Sequence, residues 1–169
     1  IPWFATNTDA TVPTKYGPAP GNGAMVNLLR ASTGAEPIVI GKPQPGLFEA
    51  CIARHGSSDL LVVGDRLDTD IDGAVATGLD SLLVLTGVHG LSDLARQPLS
   101  HWPTFVAPDL RSLALPAATP KIAAGVWVPS TDSPFERDIV RFLNALSSGE
   151  TPDFDIPMDT GSAVDLRDF

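Results

Sequence analysis

The sequence predicts an α/β fold built on a parallel sheet, and three observations carry that expectation. From residue 1 to about residue 107, short apolar runs rich in β-branched residues alternate with segments of helical period. Glycines stand where the helical segments should stop, at Gly34, Gly56 and Gly78. The length of 169 residues, with 43% apolar and 18% charged side chains, suits one domain with a real core plus a tail.

Taken in order, Trp3 to Thr6 reads as the first strand and is followed by a Pro/Gly-rich loop through Pro13, Gly17, Pro18, Pro20 and Gly21. A helix then carries Met25, Val26, Leu28 and Leu29 toward Gly34. Pro37 to Ile40 is the second strand. Pro45 to Arg54 is a helix expected to bury Leu47, Phe48, Cys51 and Ile52, so Cys51 reads as a core residue. Leu60 to Val63 is the third strand, Thr69 to Thr77 a helix with Ile71, Ala74 and Val75 inward, and Leu82 to Leu85 the fourth strand. Thr104 to Ala107 would add a fifth strand at an edge.

Composition changes near Pro116, where Leu-Pro-Ala-Ala-Thr-Pro reads as a linker. Residues 1–115 are therefore assigned to the core and residues 116–169 to a C-terminal extension. The extension holds one apolar run, Ile122 to Val128, and one well-signalled helix. That helix has Ser133 as N-cap, Pro134 at its first position and Glu136 three residues after the cap. Phe135, Ile139, Phe142, Leu143 and Leu146 fall on one side, so the helix docks on something. The acidic, Pro-interrupted segment after Gly149 is expected to be extended or mobile.

The net charge of −9, with 11 Lys and Arg that form no basic stripe, argues against a nucleic-acid partner. No apolar run approaches the roughly 20 residues of a membrane span. A single cysteine excludes an internal disulfide, no basic-then-apolar leader is visible, and a cytosolic location is the default expectation. The first residue is Ile1, which looks like the beginning of a strand, so the chain is expected to be a fragment of a longer one.

The chemistry is concentrated in Gly-Asp-Arg-Leu-Asp-Thr-Asp, Gly64 to Asp70, directly after the third strand. Carboxylates this close repel, and a cation among them relieves the repulsion. Asp65 stands just past a strand's carboxyl end, where open parallel sheets bind ligands. Asp70 lies five residues on and can face the same crevice, a setting for a hard cation such as Mg²⁺. The competing reading is that Asp68 or Asp70 only caps the next helix. Lys42, held in Gly41-Lys42-Pro43 after the second strand, can aim its ammonium at the same crevice, where its partner would be an anion such as phosphate; alternatively it is merely solvated. His55, His89 and His101 lie in separate loops without metal-ligand spacing, and Gly21-Asn22-Gly23 lacks the third glycine of a dinucleotide loop. Trp102 and Trp127 are either packing residues or a contact surface for the tail.

Strand, Gly-Lys-Pro, helix, strand, Gly-Asp-x-x-x-x-Asp resembles the third and fourth motifs of haloacid dehalogenase (HAD) superfamily phosphatases. The wording is similar to the subfamily of NagD-type, p-nitrophenylphosphatase-like and phosphoglycolate or glycerol-phosphate phosphatases. The phrases that carry the resemblance are Ala5-Thr6-Asn7-Thr8-Asp9, Pro20-Gly21-Asn22-Gly23, Ile40-Gly41-Lys42-Pro43, Val63 to Ile71, and Leu83-Val84-Leu85-Thr86-Gly87-Val88. They span residues 3 to about 112 and imply the C-terminal half of a Rossmann-like core. By the resemblance, Lys42 is the catalytic lysine that neutralises the substrate phosphate, Asp65 is a Mg²⁺ ligand, and Asp70 supports the metal as a second ligand or through its water shell. Asn7 and Asp9 would lie where the chain returns from an inserted cap, as hinge or turn formers.

The family's nucleophilic Asp-x-Asp after an N-terminal strand is missing, as are its Thr/Ser-bearing second motif and most of the substrate-choosing cap. Asp68/Asp70 and Asp70/Asp72 belong to the fourth motif, and Asp153/Asp155 follows no strand. The resemblance therefore implies a Mg²⁺-dependent phosphomonoesterase acting on a small phosphorylated metabolite, with glycerol 3-phosphate or phosphoglycolate favoured. Its aspartyl-phosphate would form on a residue of the N-terminal remainder. The extension would be a regulatory or dimerising element, which leaves room for a homodimer. The rival reading is a non-catalytic, phosphatase-like binding module. A receiver-like signalling domain is disfavoured because its lysine follows the phosphoacceptor Asp, whereas Lys42 precedes Asp65.

Overall fold

Two apolar runs, Leu61–Gly64 (β5) and Asp80–Val84 (β6), pair in parallel, and Phe105–Ala107 (β7) adds to β6 in the same direction. The computed structural model describes residues 2–150 and 161–169. A fourth strand, Val164–Asp165 (β10), closes this sheet antiparallel to β7, giving the order β10-β7-β6-β5. The fifth predicted strand is thus interior to the sheet and not at its edge; two residues were too few to signal the strand that covers it. The tail was expected to be extended or mobile, yet its described part, 161–169, contributes this strand and buries Val164 and Leu166. Asp153 and Asp155 lie outside the described residues.

Upstream, Phe4–Ala5 (β1) and Ile38–Val39 (β4) form a separate parallel pair. Between them, the stretch read as a loop is a hairpin of Thr11–Thr14 (β2) and Gly17–Pro20 (β3), with Gly17 at φ 107° in its turn. Three prolines had argued against strands, but an exposed two-stranded hairpin tolerates them because few of its N–H groups need partners. Helix α1, Asn22–Thr33, and helix α2, Gly46–His55, both end on left-handed glycines, Gly34 and Gly56, whose N–H groups donate to Arg30 and Ile52 carbonyls.

Helix α2 buries Phe48, while Leu47 and Cys51 are exposed. Cys51 is therefore not a core residue. Its neighbour Ile52, four residues from Phe48, shares the inward face, and Cys51 falls off that line. After β5 the chain makes a π-helical turn, Leu67–Ile71, that runs into helix α3, Asp72–Thr77; Leu91–Leu94 forms the short helix α4.

The extension supplies much of the interior. Its apolar run is a hairpin, Lys121–Ala123 (β8) and Val126–Val128 (β9), turned at Ala124 and Gly125, both with positive φ, and not one strand. Helix α5, Pro134–Ser147, places Phe135, Ile139, Phe142 and Leu143 in one buried cluster with Leu67, Ile71, Leu83, Leu91, Leu94, Val106 and Val164. Trp102 stacks on Phe169 with centroids 5.0 Å apart, and Trp127 approaches the same ring at 5.8 Å, so both indoles are packing residues.

The predicted cap of α5 is built differently. Ser133 occupies the N-cap position but its hydroxyl makes no capping bond. Glu136, fully buried, instead reaches back to accept from the Ser130 N–H (2.6 Å) and hydroxyl (2.7 Å) and from the Thr131 N–H (2.7 Å) and hydroxyl (2.5 Å). Burial alone pushes the Glu136 carboxyl up, but these four donors outweigh it and hold it below the usual carboxylate range. Glu136→Gln is expected to cost about 3 kcal/mol at neutral pH, because a buried charge-assisted network is broken and donors are left facing an amide. Because the folded value is lowered, the carboxylate's contribution is present above the ordinary carboxylate range and is lost as pH falls through the folded value. Urea unfolding of both forms at pH 7 and in acid should show the gap shrink toward acid.

Candidate active site

Lys42 and Asp70 meet at the carboxyl ends of two different strands. Gly41 follows β4 so closely against β1 that a Cβ there would strike the Thr6 carbonyl, and this packing fixes where the Lys42 side chain departs. The Lys42 ammonium donates to Asp70 Oδ1 at 2.6 Å. Asp70 Oδ2 accepts the Arg66 N–H at 3.2 Å, and the Asp70 and Ile71 N–H groups both donate to the Arg66 carbonyl, which closes the π-helical turn. Asp70 therefore does not cap α3; its buried carboxylate ties the lysine to the turn.

Asp65 stands one residue past β5, half-buried, with no hydrogen-bond partner for its carboxylate among the described residues. Its side chain lies where a Cβ on Gly87 would sit, so the loop after β6 has to be glycine at that point. Asn7 and Asp9 form an Asx turn, the Asp9 N–H donating to Asn7 Oδ1 at 3.1 Å, as the turn reading expected. The Asp9 carboxylate faces Arg66 Nε at 3.8 Å, and its buried Oδ1 has no hydrogen-bond partner. Arg66 also chelates Asp68, at 3.0 and 2.7 Å.

These charges settle the lysine's state. Burial pulls the Lys42 ammonium down, but the Asp70 hydrogen bond and the charges of Asp70, Asp9 and Asp65 hold it above its ordinary value. The bond to Asp68 does the same for the Arg66 guanidinium against its own desolvation. The crevice thus presents two fixed cations and a group of carboxylates, one of which, Asp65, is free of hydrogen bonds. Among the described residues no three His, Cys, Asp or Glu side chains converge as a metal cage.

Residues 39–113 match the family model described as HAD-hydrolase-like. That segment of the chain is HAD-hydrolase-like. Curated HAD relatives include the D-glycerol 3-phosphate phosphatase of Mycobacterium tuberculosis, 52% identical over 111 residues, covering 66% of this chain and 31% of the relative. The dihydroxyacetone phosphatase of Corynebacterium glutamicum is 35% identical over 114 residues, covering 66% of this chain and 41% of the relative. Among solved HAD structures, a glycerol phosphate phosphatase from Mycobacterium tuberculosis in complex with magnesium superposes with a TM-score of 0.66 at 39% identity, covering 89% of this chain and 50% of that one. The p-nitrophenyl phosphatase from Archaeoglobus fulgidus gives 0.58 at 35% identity over 68% of this chain and 47% of its own. The chain thus spans 31–41% of these curated relatives and about half of these solved ones.

The resemblance read from the motifs, to HAD phosphatases of the glycerol-phosphate and p-nitrophenylphosphatase type and to their Rossmann-like core, is what these relatives display. Sequence reasoning missed His89, whose Nδ1 accepts the Leu67 N–H at 3.0 Å. A lone histidine in a loop gives no periodic or spacing signal. His101 pairs with Asp72 at 2.8 Å on the exposed side of α3, and no helix of the described residues is long and apolar enough to cross a membrane.

Proposed function

We propose that the full-length protein is a Mg²⁺-dependent phosphomonoesterase of small phosphorylated metabolites, with glycerol 3-phosphate the leading substrate and phosphoglycolate the next. The observation that carries this reading is the Lys42–Asp70 pair beside an unpartnered Asp65 at the ends of β4 and β5. The names of the relatives, two of which act on three-carbon phosphates, support the choice of substrate. Lys42 offsets charge on the phosphoryl oxygens, Asp65 is the direct Mg²⁺ ligand, and Asp70, with both oxygens engaged, orients Lys42 and supports the metal's water shell. Bound Mg²⁺ would supply charge neutralisation for phosphoryl transfer.

The nucleophilic aspartate, and the aspartyl-phosphate formed on it, belong to the polypeptide that precedes these residues. β5 is the outer strand of its sheet with Leu61 and Val63 exposed, and a largely apolar cavity of about 520 Å³ lies beside Ile40, Gly41 and Leu47. In this reading a strand of the preceding polypeptide fills that side and brings its aspartate to Lys42. The described residues beyond 115, 116–150 and 161–169, act as an integral layer of the core and not as a detachable module.

Phosphate release from glycerol 3-phosphate by the full-length protein is the test. Release that requires Mg²⁺ and falls by at least about 100-fold in Asp65→Asn is expected. No release from wild type under any divalent cation would remove the enzyme reading and favour a phosphatase-like binding module.

A further inference from the structure

The π-helical turn that carries Asp70 begins at Leu67, and the first N–H groups of any helical turn have no partner within it. The Asp70 and Ile71 N–H groups find the Arg66 carbonyl, and Arg66, at the N-cap position, offers no side-chain acceptor because a guanidinium is a donor only; it is paired with Asp68 and Asp9. Leu67 is almost fully buried, so water is a poor substitute. Its N–H donates to His89 Nδ1 at 3.0 Å, across 22 residues of sequence. A histidine on the loop between β6 and α4 thus caps the acidic turn from a different element.

The same loop touches the other half of the site. Gly87, two residues before His89, leaves the space that the Asp65 side chain occupies. Asp65 and the turn bearing Asp70 therefore rest on one short segment, Gly87 to His89. His89 is 21% exposed, its Nδ1 lies 4.0 Å from Asp68 Oδ1, and that carboxylate is already chelated by Arg66.

We infer that His89 is a positioning residue: by accepting the Leu67 N–H through Nδ1 it fixes the turn that presents Asp70 to Lys42 and, with Gly87, keeps Asp65 and Asp70 in one crevice. It touches no substrate. Its chemistry requires an acceptor at Nδ1, which places the ring proton on Nε2. An asparagine carbonyl reaches the position of Nδ1 from the same Cβ, whereas a glutamine carbonyl reaches that of Nε2. The inference rests on the proposed metal site for its functional consequence and on the hydrogen bond alone for its structural one.

The test compares full-length wild type with His89→Ala, His89→Asn and His89→Gln in three measurements: amide exchange of Leu67 without metal, calorimetric Mg²⁺ binding without substrate, and kcat and KM for phosphate release. Loss of the cap in His89→Ala should raise Leu67 exchange at least tenfold and weaken Mg²⁺ binding about 10–100-fold, the range for residues that orient metal ligands. KM for substrate should change less than kcat at fixed Mg²⁺. Asn should restore exchange protection and Mg²⁺ affinity, and Gln should not. Unchanged Leu67 exchange in His89→Ala, equal rescue by Gln and Asn, or altered exchange with unchanged Mg²⁺ affinity would each overturn the inference. A wild type that binds no Mg²⁺ would sink the proposed function, while the exchange contrast between Asn and Gln would still decide whether His89 holds the turn.

Discussion

Truncation after Leu115 is expected to abolish cooperative folding. The cut removes Phe135, Ile139, Phe142, Leu143 and Val164, all 1% exposed or less, from the cluster that contains Leu67, Ile71, Leu83 and Val106. Burying side chains of this size contributes about 1.5–3 kcal/mol each, so five of them together match the roughly 5–15 kcal/mol net stability of a typical domain. The cut also strips β10 from β7 and the Glu136 network from the base of α5. Circular dichroism through a urea titration would decide the matter. A truncated protein with an unshifted, cooperative transition would mean that the extension is only an ornament on a self-sufficient core.

The second large effect is at Lys42. Lys42→Ala should lower kcat for phosphate release by about 10²–10³-fold, the usual loss when one fixed charge facing a developing anion is removed. Stability should fall as well, though by less than full loss of the turn. Asp70 is buried and loses its ammonium partner, so the variant is destabilised, but the Arg66 N–H still holds Oδ2 and prevents collapse of the turn. The Lys42→Met variant separates the roles: a stem of similar length is kept while the charge is lost, so kcat should fall as far as in Lys42→Ala with a smaller stability cost. Equal kcat for wild type and Lys42→Met would remove Lys42 from the chemistry.

The legible parts of this chain are those in which local chemistry and tertiary context agree. Leu61 to Val63 and Leu82 to Val84 are apolar enough to be strands wherever they are placed, and Gly34, Gly56 and Gly78 stop helices because each supplies the left-handed residue that such ends require. Lys42, Asp65 and Asp70 were legible as a group because strand ends of a parallel sheet converge on one crevice. The hairpin Thr11–Pro20 was hidden by its prolines, and Val164–Asp165 is a strand only because β7 offers it an edge. Cys51 misled because the helical stripe was drawn one residue too wide. Glu136 sat at the right spacing for a capping box, but its oxygens found four donors upstream of Ser133, a choice made by the approach of the chain at Ser130 and Thr131. His89 had no signal at all, since the acceptor it provides is defined by a backbone N–H 22 residues away.

Until the strand proposed to fill it has docked, the flank of β5 has a consequence for how such a polypeptide survives in a crowded solution. Leu61-Val62-Val63 is a short, uncharged, β-branched segment with two of its side chains in water, the composition that recruits foreign strands. Asp59 and Asp65 bracket it as gatekeepers, and their like charge repels a second copy trying to stack in register. The carboxylate proposed to hold the metal would therefore also guard the strand behind it, and Asp65→Asn is expected to raise self-association of the protein together with its effect on phosphate release.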